Sequence, residues 1–182
     1  MGSPERSSQR HPTDLRYAAS RCAVTSLWRW CARRPTVLSA ALSDTPEQTE
    51  RRLELIAMAQ AGDFKSVRDT LWPLFVHPAR HDNVALKRAV FKMMDDTGPE
   101  TFIRQQKAIM SRPDSQPSLG AIDCPTLVLV GNEDALTPVS VALTIADGIA
   151  GSKLNIVQEC GHLSTMERPD AVTEALRAWI AR

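Results

Sequence analysis

The stretch Ile122-Asp123-Cys124-Pro125-Thr126-Leu127-Val128-Leu129-Val130-Gly131-Asn132-Glu133-Asp134-Ala135-Leu136-Thr137-Pro138 decides the fold class. Residues 125–131 form a short, unbroken, β-rich apolar run, which a strand buried on both faces of a parallel sheet requires. Pro138 then opens a helix with Val141, Ala142, Ile145 and Ala146 on one side, closed by Gly148 and Gly151. Lys153–Val157 reads as a second short strand. Pro169 starts a last helix with Val172, Leu176, Trp179 and Ile180 on one face. Strand, helix, strand, helix is the pattern of a parallel α/β unit with a right-handed crossover.

Upstream of this unit the period is helical throughout. Asp44-Thr45-Pro46-Glu47 has a capping side chain, a proline in the first turn and early acidic residues, and predicts a helix to about Ala61. Its apolar stripe reads as Leu53, Ile56, Ala57 and the neighbours of Gln60. Asp63 caps a second helix with Phe64, Val67, Leu71 and Leu74 recurring at intervals of three and four. A third begins at Asn83 and carries Val84, Val90, Phe91 and Met94. A fourth runs from Pro99 to about Ser111 with Phe102, Ile103, Gln106 and Met110. Met93 and Met94 read as packing residues. Four amphipathic helices with short breaks make a helical layer over residues 44–118, and the α/β unit occupies residues 119–182.

Residues 1–43 differ in kind. Residues 1–41 hold seven Arg, no Lys and only Glu5 and Asp14 as acids, a balance of +5 against −4 for the remainder. With scattered prolines and no strand alternation, an irregular or disordered segment is expected, apart from a short helical stretch near Ala23–Cys31. One further expectation concerns Leu27–Ala40. Plausible codons read in a shifted frame there give V-A-L-V-C-A-P-P-D-R-V-E-R, similar to a helix-to-strand passage, and sequencing the gene decides it. The competing account is a targeting presequence.

Composition narrows the function. Hydrophobic residues at 43%, charged residues at 24% and a net charge of +1 are ordinary for a globular protein and favour neither nucleic acid nor a membrane surface. No apolar run approaches the roughly 20 residues that span a bilayer, and no apolar leader is apparent. A cytoplasmic protein is expected. Cys22, Cys31, Cys124 and Cys160 form no CxxC pair, so reduced thiols are expected rather than disulfides or a zinc site.

Chemistry is expected at the carboxyl ends of the strands, where open parallel sheets bind ligands. Asp134 lies in the loop after the first strand and His162 in Glu159-Cys160-Gly161-His162-Leu163-Ser164 after the second. Neighbouring strands are about 4.8 Å apart, so the two side chains can meet. An Asp accepting from a His Nδ1 fixes the tautomer and stabilises the imidazolium formed on proton transfer. Cys160 as a nucleophile is disfavoured, since a cysteine at a strand end is usually packing. His77 and His81 are spaced i, i+4, but Pro78 interrupts them and no further ligand accompanies them, so a solvated loop is expected rather than a metal site.

The Ile122–Pro138 string closely resembles the α/β-hydrolase segment that bears the catalytic acid. Gly161-His162, followed by Glu167-Arg168-Pro169 and a terminal helix ending in an aromatic, resembles the segment that bears the catalytic His. The resemblance implies Asp134 as triad acid, His162 as general base, residues 44–118 as a lid, and hydrolysis of a small ester or lactone in complete relatives, without cofactor or metal. The sequence departs from the family in what precedes the lid: it contains no G-x-S-x-G nucleophile elbow, and the earlier strands and the loop that contributes to the oxyanion hole are also absent. The fold expected is therefore an incomplete α/β-hydrolase fold, inactive as an isolated chain. A non-catalytic interaction or regulatory module and an inactive pseudogene product are the alternatives. Two strands cannot cover their own edges, so self-association is also expected.

Overall fold

A computed structural model describes residues 36–38 and 42–181. The elements are β1 (Thr36–Leu38), α1 (Pro46–Gln60), α2 (Phe64–Phe75), α3 (Val84–Thr97), α4 (Pro99–Met110), β2 (Thr126–Gly131), α5 (Val139–Gly148), β3 (Lys153–Val157), α6 (Ser164–Glu167) and α7 (Pro169–Ile180). Short 3₁₀ turns stand at Pro78–Arg80 and Gln116–Ala121. Apart from β1, the expectations for residues 1–41, including the shifted-frame reading of residues 27–40, lie outside the described residues.

The strands form one parallel sheet in the order β1-β2-β3. Thr36 faces Thr126 on one side of β2, and Leu127 through Gly131 face Lys153 through Val157 on the other. The sequence reading has two strands and an irregular segment before Asp44, and β1 corrects it. Three residues are too few to show a period. What makes Thr36–Leu38 a strand is pairing with β2, some 90 positions away, and local sequence carries no record of that.

Side chains of β2 alternate between two buried environments. Val128 and Val130 pack with Leu119, Ala142, Ile145 and Ile149 beneath α5. Leu127 and Leu129 pack with Ala175, Leu176 and Trp179 of α7 on the opposite face. That is the double burial which the unbroken apolar run of 125–131 implies. On α7, however, Ile180 lies outside the buried stripe and is 69% exposed.

Local capping fixes the helical layer. Thr45 and Gln48 exchange side-chain and backbone hydrogen bonds of 2.9 and 3.2 Å in a capping box. Asp63 accepts from Ser66 N at 3.1 Å and Asn83 from Leu86 N at 3.0 Å. Gly98, at φ 73°, both ends α3 and precedes α4, a backbone conformation that disfavours a side chain. The stripe read on α1 is rotated: Leu53, Ala57 and Gln60 are exposed, and Leu55, Ile56 and Ala59 are buried. Both stripes satisfy helical periodicity. Val67 and Leu71 of α2 and Phe102 of α4 cluster with Leu55 and Ala59, and that tertiary contact selects the face. No helix among the described residues is long and apolar enough to cross a membrane.

The end of β2 is crowded. A Cβ added to Gly131 would lie 2.2 Å from Gly161 O and 2.3 Å from Cys160 O, both backbone atoms that cannot swing aside. Gly131→Ala is expected to destabilise the fold by about 3 kcal/mol, the upper range for overpacking, read as a lower urea midpoint. An unchanged midpoint would show that the loop after β3 can move away at little cost.

Candidate active site

Two loops leave the carboxyl ends of β2 and β3 and are tied together before Asp134 or His162 is reached. Asn132 N donates to Val157 O at 2.9 Å, Glu133 N to Cys160 O at 3.0 Å, and Cys160 N to Asn132 Oδ1 at 3.3 Å. These bonds set Asp134 and His162 against one another, with Asp134 Oδ2 2.9 Å from His162 Nδ1.

Asp134 is buried and its oxygens are fully engaged. Oδ1 accepts from Leu136 N at 2.9 Å and Thr137 N at 2.8 Å, while Oδ2 accepts from Thr137 Oγ1 at 2.7 Å. Burial pushes the carboxyl upward. The hydrogen bond and charge of His162, with the bonds from Thr137, outweigh that and hold it below its ordinary 3.8. The chain turns so tightly after Asp134 that its carboxylate serves both as the cap of the turn and as the partner of the histidine.

The network assigns the proton of a neutral His162 to Nδ1, facing Asp134, and leaves Nε2 as the basic nitrogen. Thr137 Oγ1 lies 3.3 Å from the same Nδ1. The imidazole stacks on Phe75 at the end of α2, with ring centroids 6.3 Å apart and planes at 20°. Leu163 N donates to Phe75 O at 3.0 Å, so backbone as well as ring ties the histidine loop to the helical layer. Such a pair can accept a proton at Nε2 and stabilise the resulting imidazolium through Asp134.

A cavity of about 500 Å³ lies between the helical layer and the sheet, and His162, Thr137 and Leu136 contribute to its wall. Its apolar lining comes mostly from the layer, chiefly Leu55, Phe64, Leu71, Phe75 and Phe102, with Leu136, Val141 and Leu163 on the sheet side. Arg52 and Arg112 also line it.

Glu167 is the residue that sequence reasoning missed. Its side chain is 0% exposed. Oε2 accepts from His77 N at 2.7 Å, Oε1 accepts from Gly161 N at 2.9 Å, and Arg80 Nε stands 3.6 Å away. One carboxylate thus clamps the connection after α2 to the residue preceding His162. In the sequence, Glu167 looks like an ordinary acid beside a helix start. Only its fixed place in the Glu167-Arg168-Pro169 string hinted at more.

His77 corrects the expectation of a solvated loop. Its side chain is 17% exposed, its Nδ1 accepts from Ala79 N at 3.1 Å, and its Nε2 lies 3.4 Å from Glu133. The reason is the Glu167 clamp, which pulls the segment against the sheet. The described residues contain no group of three or more His, Cys, Asp or Glu able to hold a metal. Cys160 is fully buried, and burial together with the nearby Glu167 charge pushes its thiol up to about 11. A thiol so poor in thiolate is a weak nucleophile at neutral pH.

Comparison with known proteins gives this arrangement its relatives. A model of the Ndr family matches residues 44–181. A 2-hydroxy-6-oxononadienedioate/2-hydroxy-6-oxononatrienedioate hydrolase of Klebsiella pneumoniae is 39% identical over 84 residues, 46% of this chain and 29% of that protein. A proline iminopeptidase of Lactobacillus crispatus is 45% identical over 62 residues, 34% of this chain and 21% of that protein. Among solved structures, a thermophilic esterase from Thermogutta terrifontis superimposes with a TM-score of 0.73 at 28% identity, over 82% of this chain and 56% of the esterase. The enol-lactonase from Burkholderia xenovorans, at 24% identity and a TM-score of 0.66, shares the fold over 82% of this chain and 56% of its own. The chain therefore spans less than a third of these curated relatives and just over half of these structural ones.

The depressed Asp134 carboxyl sets a pH dependence. A carboxyl lowered in the folded state contributes stability that is present above its unfolded value, near 3.8, and is lost as pH falls through the lower folded value. Asp134→Asn is expected to be less stable than wild type at pH 7, with the gap narrowing only below about pH 4. Urea titrations of both proteins from pH 7 to pH 2 measure it. A gap that stays constant across that range would deny Asp134 a folded-state shift.

Proposed function

The chain belongs to the Ndr family and has the α/β-hydrolase fold, and on that premise we propose that it carries the lid and the acid–base half of a hydrolase site. The observation that supports this most is the 2.9 Å contact between Asp134 Oδ2 and His162 Nδ1 beside a partly apolar cavity. In this reading residues 44–118 are the lid and residues 119–182 the end of the core.

The chemistry is acyl transfer. A nucleophile attacks the carbonyl carbon of a small ester or lactone while His162 Nε2 takes its proton. Asp134 holds the tautomer and stabilises the imidazolium. His162 returns the proton to the departing alkoxide. It then accepts one from the water that attacks the acyl–nucleophile intermediate and passes it to the departing nucleophile, which releases the acid and leaves both groups as they began. No metal or cofactor takes part in these steps. The nucleophile and the donors for the oxyanion come from a segment bearing the elbow, which the 182 residues do not include. Cys160 is too deeply buried to replace it.

The absence of a G-x-S-x-G elbow from the sequence favours a second reading, a non-catalytic interaction module on a hydrolase scaffold. Self-association accompanies either reading. Among the described residues β3 is an edge strand with Ile156 37% exposed, and a second copy or a complementing chain would cover it.

The isolated chain is expected to hydrolyse p-nitrophenyl butyrate no faster than its His162→Ala variant. Joined to the nucleophile-bearing portion of the Thermogutta terrifontis esterase, residues 44–182 should regain hydrolysis. His162→Ala should then lower kcat by about 10³-fold or more. A folded but silent chimera would favour the interaction module.

A further inference from the structure

The cavity that His162 lines is chemically lopsided. Where the chain enters and leaves the helical layer, Arg51, Arg52 and Arg112 line it against a single acid, Asp44. Arg52 is neutralised: its Nε and Nη2 lie 2.6 and 3.3 Å from the two Asp44 oxygens, and its Nη1 donates to Gln106 Oε1 at 2.8 Å. Arg112 is not. Its Nη2 donates to the Leu42 carbonyl at 2.6 Å, its Nε is buried with no acceptor, and no carboxylate of the described residues pairs with it. Among the described residues its hydrogen-bond partner is one neutral carbonyl, so no paired carboxylate offsets the guanidinium's charge. Beside it stands the apolar wall of Leu55, Leu71 and Phe102, and Thr137 and His162 complete the cavity.

We propose that this cavity takes a ligand with an apolar body and a terminal carboxylate, the carboxylate held by Arg112 and the apolar body resting against Leu55, Leu71 and Phe102. The inference rests on the reading of this cavity as the substrate pocket and adds the class of substrate: an ester or lactone whose acyl part ends in a second, ionised carboxylate. Three features carry it. The cavity holds more cationic than anionic side chains, so an anion entering it lowers its electrostatic energy. Arg112 already has its backbone contact and needs no rearrangement to keep its place. Arg52, locked by Asp44 and Gln106, adds a fixed positive edge rather than a competing site. A neutral ligand of the same shape would leave Arg112 without a counter-charge and gain only the apolar contact.

Binding separates this inference from the proposed catalysis, because it requires no nucleophile. Titrating the full chain with 4-phenylbutyrate and with its neutral isostere 4-phenylbutanamide, followed by NMR chemical shifts, makes the comparison. The acid should bind at least about tenfold more tightly than the amide at pH 7, as a charge-assisted contact implies. Its shifts should map to the lining residues. The preference should shrink in high salt and vanish in Arg112→Gln, and His162→Ala should retain it. Equal affinities for acid and amide, or no binding of either, would overturn the inference whatever the ester assay shows. The comparison on wild-type protein decides the matter even if Arg112→Gln fails to fold. Acid binding without hydrolysis in the chimera would leave this inference standing and sink the catalytic one.

Discussion

The structure turns on a contact that only glycine permits. Gly131 at the end of β2 and Gly161 before the histidine lie so close that a side chain on either would strike backbone. A Cβ on Gly161 would meet Val76 C at 2.6 Å, so the same column continues into the helical layer. Strand end, histidine loop and the connection after α2 are stacked backbone on backbone. Glu167 closes the stack from the side by accepting from both Gly161 N and His77 N. A carboxylate without exposure is costly unless it is hydrogen-bonded and its charge is offset; here two backbone donors bond it and Arg80, 3.6 Å away, offsets the charge. The candidate site hangs from this column. Asp134 follows Gly131 by three residues, His162 follows Gly161 by one, and Phe75, on which the imidazole stacks, precedes Val76.

The parts that were legible in the sequence are those set locally. The caps at Thr45, Asp63 and Asn83 are short-range hydrogen bonds between a side chain and a nearby amide, so the helix starts can be read from them. The buried strand at 125–131 could be read because burial on both faces demands an unbroken apolar run. Asp134 and His162 could be singled out as candidates because open sheets place ligands at strand ends. That the two meet is a product of the cross-loop bonds from Asn132, Glu133 and Cys160, which adjacency of strands allows but does not dictate.

What was illegible is non-local. β1 exists through its pairing with β2, and its three residues carry no period of their own. The face that α1 buries is chosen by Val67, Leu71 and Phe102, since the stripe through Leu53 was equally regular. His77 is drawn inward by a carboxylate 90 positions later in the chain. Glu167 itself resembles many surface acids, and nothing in its immediate neighbourhood announces that it is buried. Each of these depends on a partner far away in sequence, where patterns of three, four or two have no reach.

The bond from Arg112 to the Leu42 carbonyl joins the point where the chain departs for the helical layer to the point where it comes back. The layer is thus a long excursion pinched shut at its neck, between two strands, β1 and β2, that pair with each other. The entropic cost of closing such a loop grows only slowly with its length. A graft held this way can be lengthened, shortened or exchanged while the sheet beneath keeps its register. Change beyond the neck is therefore tolerated wherever it spares Phe75, Val76 and His77, the part of the layer on which the column and the imidazole rest.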